Sequence, residues 1–258
     1  MSDTFAVPVQ SPYPWRSILD YLAPRSTPGA ESVEAGRYVR QTSAGAVSVE
    51  YDPSARVLRC SGDRTFVPRI ERLFDAGHDP RAVNRALRGS PLLGPKLRAL
   101  PGVRAPGCWE PFELCLRVIL GQQVSVKAAH TLMGRLTARC PGLDPGQVAE
   151  ADLATLGLPG ARLRTVRTFA ERVAAGTIRL EGQSWDETAG QLKESPGFGP
   201  WTLQYLAIRL GRDSDAFPET DLGLLRAAGA QTPRELLRMA DQWRPWRGYA
   251  AMCLWMAH

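Results

Sequence analysis

The stretch ESPGFGPWT, residues 194–202, sets Gly197 and Gly199 between Pro196 and Pro200, with QLKESP before it and WTLQYLAIRL after it. Glycine and proline punctuation between two helix-patterned segments predicts a tight helix–hairpin–helix turn. Two glycines leave the backbone N–H groups of such a turn open, and the helix that begins near Trp201 aims its positive end at the same place. One nucleic-acid phosphate fits there, although a plain corner between two helices would carry the same local sequence.

Outward from the turn the periodicity is helical. Apolar residues recur at i, i+3/i+4 spacing in segments beginning at Phe66, Pro80, Pro111, Val124, Ala161, Ser184, Gly199, Thr220, Thr232 and Arg247. The pattern changes once, toward the N-terminus, where RYVRQT (37–42), AVSVEY (46–51) and ARVLRC (55–60) alternate apolar and polar residues around SAG and DPS turns. That alternation predicts a small antiparallel meander. The fold class is therefore mainly α with a small N-terminal α+β domain. The Pro- and Gly-rich segments LLGPKLRALPGVRAPG (92–107) and CPGLDPGQ (140–147) read as loops.

Length and composition bound the function. The 258 residues are 44% hydrophobic and 22% charged, ordinary for a soluble globular chain with one large or several small domains. No apolar run reaches membrane-spanning length, and MSDTFAVPVQSPYPW lacks the basic start and apolar core of a signal peptide, so a cytoplasmic protein is expected. The formal net charge of +6 suits a polyanionic partner. Lys96, Lys127 and Lys193 are the only lysines, and the remaining cations are arginines, whose planar fork suits phosphate; a GC-rich genome would leave the same bias.

Cys60, Cys108, Cys115, Cys140 and Cys253 are odd in number and lack CxxC spacing, which argues against a disulfide framework, a zinc site or an iron–sulfur cluster. His78, His130 and His258 are scattered without ligand-spaced partners.

Twenty residues past Trp201, Asp221 stands at a helix start in DSDAFPETDLGLLR, where it would serve as an N-cap in any helical protein. A hairpin such as SPGFGPWTLQY followed by an Asp at this distance resembles the helix-hairpin-helix DNA glycosylases of base-excision repair. The likeness is closest to the bacterial 3-methyladenine DNA glycosylase II branch, which repairs alkylation damage. It is carried also by RVILGQQVSVKAA (117–129), DQWRPWRGYAAMCLW (241–255) and PYPWRSILDYLAPR (12–25), and so runs nearly end to end.

The resemblance implies a TATA-box-binding-protein-like N-terminal domain over 1–85 and two helical lobes flanking an active cleft. One lobe spans 111–212 and holds the hairpin; the other joins 86–110 to 213–258 and carries the catalytic Asp. It makes Asp221 the catalytic carboxylate and gives Trp201, Tyr205, Trp255 and Tyr21 to a base-binding pocket. DNA contacts fall to Gln122, Gln123, Ser195, Gly197, Phe198, Gly199 and Thr202. Backbone carbonyls of Lys193, Ser195 and Phe198 would hold a structural Na+ or K+, with no cofactor required. The implied partner is damaged double-stranded DNA, met by a monomer. Trp15, Trp109, Trp185, Trp243 and Trp246 read as core.

Two positions depart from the family pattern. Gln123 stands where a leucine wedge is found, and Leu222 follows Asp221 where an aromatic is found. Three functions stay open on the residues alone: a monofunctional glycosylase for alkylated purines, a glycosylase/lyase, and a non-catalytic DNA-binding module. The lyase needs a lysine nucleophile just after the hairpin, and Trp201 occupies that slot; the binding module has no use for Asp221.

Overall fold

In the computed structural model, which describes residues 3–257, five strands form one antiparallel sheet: β1 (Thr4–Pro8), β2 (Glu31–Glu34), β3 (Arg37–Thr42), β4 (Gly45–Asp52) and β5 (Val57–Ser61). Their order is β1-β5-β4-β3-β2. The three predicted strands are the sheet interior. β1 and β2 are its edges and were not legible, because β1 is five residues long and pairs with β5 some fifty residues away (Phe5 opposite Cys60), while β2 has a single apolar side chain, Val33. Phe5, Val7, Tyr38, Val47, Val49, Leu58 and Cys60 turn inward from alternate positions.

The described residues also form thirteen helices. The first is α1 (Trp15–Leu22), and α2 (Val67–Phe74), α3 (Pro80–Leu87) and α4 (Leu93–Ala99) follow the last strand. Then come α5 (Pro111–Gly121), α6 (Val126–Arg139), α7 (Pro145–Glu150), α8 (Gly160–Ala174) and α9 (Trp185–Lys193). The chain closes with α10 (Pro200–Arg209), α11 (Leu222–Ala228), α12 (Pro233–Ala240) and α13 (Arg247–Met256).

The reading of 92–107 and 140–147 as loops is corrected: the first contains α4 and the second supplies the start of α7. Pro145 sits in the first turn of α7, where its missing N–H costs nothing, and the Asp144 side chain caps Gln147 N. Pro95 is likewise in the first turn of α4. No described helix is long and apolar enough to cross a membrane. The five cysteines are buried and unpaired; His258 lies outside the described residues.

Buried apolar side chains fall into two clusters. One joins the sheet and α1–α4 to α11–α13; the other fills α5–α9. The helix between them is α10, which sends Ala207 and Ile208 into the first and Leu206 and Leu210, at its C-terminal end, into the second. Trp109 and Trp243 are core residues, and Trp15, Trp185 and Trp246 are half-buried against it.

The sheet is tied to the second cluster by charge. Arg40 on β3 donates to the carboxylate of Glu113 on α5 through Nη1 at 2.8 Å, and Thr27 Oγ1 donates to the same carboxylate at 2.8 Å. Both charged side chains are 8% exposed, and Glu31 stands 3.8 Å from Arg40. A buried pair of this kind is worth little against apolar residues of the same shape, but removing one partner strands the other. Glu113→Ala is therefore expected to lower unfolding free energy by about 3–5 kcal/mol, seen as a reduced denaturant midpoint, with Arg40→Met restoring part of the loss. An unchanged midpoint in Glu113→Ala would show that the pair does not join the two parts.

Candidate functional site

The hairpin is built from inside. Gly197 has φ +87°, and a Cβ there would lie 2.8 Å from Thr165 Cγ2 on α8, so glycine answers both the turn and the close approach. The Gly197 carbonyl accepts from Gln122 Nε2 at 2.7 Å and from Thr202 Oγ1 at 3.2 Å. Arg172 donates to Ser195 Oγ at 2.6 Å and to Glu194 at 2.8 Å, and Phe198 is buried 5.1 Å from the ring of Phe169. The side chains of Gln122, Ser195, Phe198 and Thr202 thus brace the turn. What faces out is backbone: Gly199 is exposed, caps α10 and precedes Pro200 at the first helical position, with the unpaired N–H groups of the first turn behind it.

Along α10, Trp201, Tyr205 and Arg209 follow at i, i+4 and i+8 and share one face. The rings of Trp201 and Tyr205 stack at 5.3 Å with 11° between planes, and Trp255 of α13 meets Tyr205 edge-on at 5.7 Å. Asp221 is the N-cap of α11, as its sequence position suggested, but its carboxylate does more than cap. Oδ1 accepts from Leu224 N at 2.9 Å and from Trp255 Nε1 at 3.1 Å, and Oδ2 accepts from Trp201 Nε1 at 3.0 Å. A Cβ at Gly223 would stand 3.0 Å from Asp221 Oδ1 and 3.6 Å from the Trp255 ring, so the absence of a side chain there lets indole and carboxylate meet.

These groups border a cleft of about 1030 Å³, which also takes in Tyr21, Gln122, Gln123, Gly197, Gly199 and Thr202. Every residue assigned to the pocket or to DNA contact lines it except Ser195 and Phe198, which lie in the turn behind it. Its rim is apolar: Val124, Val126 and Leu222 are exposed, Leu222 at 67%. Gln123, at the tip between α5 and α6, is exposed with φ +60°, a strained conformation for a residue with a side chain.

Arg209 was missed. It is 2% exposed and donates through Nε to Pro106 O at 2.6 Å, through Nη2 to Gly107 O at 2.7 Å, and through Nη1 to Tyr205 Oη at 2.7 Å and Tyr21 Oη at 3.3 Å. Its spacing from Tyr205 was visible; the two carbonyls that bury it, a hundred residues earlier, were not. Burial pushes the Tyr21 phenol up to about 12. Burial is the largest influence on the Tyr205 phenol and raises it, but the charges of Arg209 and Arg25, with hydrogen bonding to Arg209, together outweigh it and leave this phenol below its ordinary value. Arg25, Arg117 and Arg226 add positive charge to the cleft wall.

Residues 4–110 match the family model of the AlkA N-terminal domain. The chain is 36% identical, over 96% of its length, to the probable bifunctional transcriptional activator/DNA repair enzyme AlkA of Mycobacterium tuberculosis, and it spans 56% of that longer protein. It is 32% identical to the DNA-3-methyladenine glycosylase 2 of Escherichia coli, covering 95% of this chain and 94% of the relative. A 3-methyladenine DNA-glycosylase structure from Archaeoglobus fulgidus superposes with a TM-score of 0.80 at 18% identity, over 97% of each chain.

The cap and the indole contacts can be separated by mutation. Asp221→Ala removes every acceptor and is expected to cost about 1–2 kcal/mol of stability. Asp221→Asn keeps an oxygen for Leu224 N and Trp255 Nε1 but turns an NH2 toward Trp201 Nε1, a loss of about 1 kcal/mol or less. Denaturant midpoints should fall in the order wild type, Asn, Ala; three equal midpoints would remove Asp221 from the cap.

Proposed function

Since the chain belongs to the AlkA family of helix-hairpin-helix DNA glycosylases, we propose that it is a monofunctional hydrolase that removes alkylated, cationic purines such as 3-methyladenine and 7-methylguanine from double-stranded DNA. The observation that carries this reading is the Asp221 carboxylate fixed between the indole N–H groups of Trp201 and Trp255, at the edge of an aromatic stack.

A base in a duplex is out of reach, so the nucleotide must be turned out into the cleft, at a cost of a few kcal/mol that falls when the pair is damaged. Alkylation at N3 or N7 leaves the base cationic, and the faces of Trp201, Tyr205 and Trp255 attract such a cation by about 2 kcal/mol once water is excluded. That base leaves readily with the electrons of the C1′–N bond. Asp221 supplies negative charge beside the developing oxocarbenium ion, and three donors keep its oxygens from turning away. Water then adds to C1′ and an abasic site remains.

The other assignments follow from the same docking. The open N–H groups at Gly197 and Gly199 receive a backbone phosphate, with Gln122, Ser195, Phe198 and Thr202 supporting the turn from within. Gln123 enters the gap left by the base, with the exposed apolar Val124 next to it in the chain, in place of a leucine wedge. The lobe of 111–212 and the lobe of 86–110 with 213–258 close on the base from two sides, and Tyr21 reaches in from the domain of 1–85. Lys193 and Ser195, at the C-terminal end of α9 where carbonyls lack helical donors, fit a monovalent cation together with Phe198. The enzyme acts as a cytoplasmic monomer and needs no further cofactor.

Asp221→Asn is expected to keep its affinity for a duplex bearing an abasic analogue while single-turnover release of 7-methylguanine falls by about 100- to 1,000-fold; release within about threefold of wild type would leave Asp221 a cap only. No lysine is among the described residues lining the cleft. Borohydride should therefore trap no protein–DNA adduct on an abasic duplex, and the strand should stay intact until treated with alkali. Efficient trapping would overturn the monofunctional assignment.

A further inference from the structure

A cavity of about 20 Å³ lies where the segment 22–31 meets α5, with Arg209 of α10 at its border. That is room for one water-sized guest, since roughly 10–15 Å³ admits a single such sphere. Arg117 of α5 lines this cavity and is 8% exposed. Its Nη2 donates to Ser26 O at 2.5 Å, while its Nη1 is buried with no partner among the described residues. A guanidinium N–H taken out of water without an acceptor is costly, so something in the cavity should receive it.

The acceptors around the cavity are already taken. Glu113 accepts from Arg40 and Thr27, Glu31 accepts from Tyr38 Oη and Thr27 N, and Glu110 pairs with Arg69 at 2.9 Å. Among the described residues neither Arg117 nor Arg209 has a carboxylate within ion-pairing distance. Setting Arg40, Arg117 and Arg209 against Glu31 and Glu113 therefore leaves one positive charge over. Burial pulls the Arg117 guanidinium down to about 10, whereas Glu113 and Glu31 hold Arg40 above its ordinary value against the same burial. Arg117 still carries its charge at neutral pH, without a counter-charge of its own.

We infer that this cavity binds a halide ion, chloride under ordinary conditions, which accepts from Arg117 Nη1 and supplies the missing negative charge beside Arg117 and Arg209. A halide carries a single charge, accepts from any direction and suits the space, whereas a phosphate or sulfate is too large for it. A water molecule would satisfy Nη1 but leave the charge unbalanced. A cation would meet guanidiniums and carboxylates whose oxygens are occupied. Ser26 belongs to the N-terminal domain, Arg117 to α5 and Arg209 to α10, so the ion fastens three separate parts of the chain at one point. The site stands whatever reaction the cleft performs.

Thermal unfolding in sodium chloride is compared with unfolding in sodium gluconate at the same ionic strength, which holds screening constant. Gluconate is too large to enter the cavity. An ion that binds only the folded state raises Tm with its concentration, so the wild-type protein is expected to melt about 3 °C higher in chloride at about 0.3 M. Arg117→Met keeps the length of the side chain and removes both donor and charge, and it should melt at the same temperature in the two salts. Equal wild-type melting in both salts would overturn the inference, as would a chloride-dependent rise that survives in Arg117→Met. Crystals of the wild-type protein grown in sodium bromide give an answer that does not depend on the variant folding. An anomalous bromine peak beside Arg117 Nη1 is expected; a water molecule there without such a peak, or bromide bound only at surface arginines, would overturn the halide site.

Discussion

One ten-residue helix has to satisfy three neighbours at once, and the rest of the molecule is arranged around that constraint. At 100° per residue, α10 turns Leu206 toward one apolar cluster and Ala207 and Ile208 toward the other. The remaining face, Trp201, Tyr205 and Arg209, is left for the cleft and its floor. The two clusters cannot slide past each other without pulling this helix out of one of them. Their separation sets the width of the cleft, and the phase of α10 decides which rings it contains. The hairpin at its N-terminus and Asp221, held against it by the Trp201 indole, are located by the same helix.

Much of this was readable because it is local. The hairpin is nine residues long, the α10 face is a spacing of four, and a carboxylate at a helix start is a cap wherever it occurs. The residues that escaped notice are those whose role is set from far along the chain. Edge strand β1 is too short to show its alternation, and its partner β5 lies some fifty residues further along the chain. Arg209 reads as an ordinary exposed helix cation until the Pro106 and Gly107 carbonyls, over a hundred residues earlier, close around it. Helix α4 was hidden by Gly94 and Pro95, residues that break a helix interior but are harmless in a first turn.

The interior also carries more cationic charge than its ion pairs account for. Arg40 is matched by Glu113, whereas Arg104, fully buried, is held by the carbonyls of Gly102 and Gln10, and Arg209 by those of Pro106 and Gly107. Carbonyl dipoles satisfy the N–H groups without cancelling the charge. Such guanidiniums fasten irregular segments that have no ladder of their own, and Arg209, bonded to Tyr21 and Tyr205, leaves a positive potential behind a cleft proposed to meet a polyanion. Basicity here is partly architecture.

The bond from Gln122 Nε2 to the Gly197 carbonyl joins two loops that are 75 residues apart. Gln122 precedes the strained tip at Gln123, and Gly197 is the bend of the hairpin. If the hairpin grips a phosphate and the tip enters the helix stack, this short strut fixes the distance between grip and tip as the jaws of a caliper are fixed by their beam. The position of the phosphate at one jaw then determines where along the duplex the other jaw enters, and neither loop can be repositioned alone without breaking the strut.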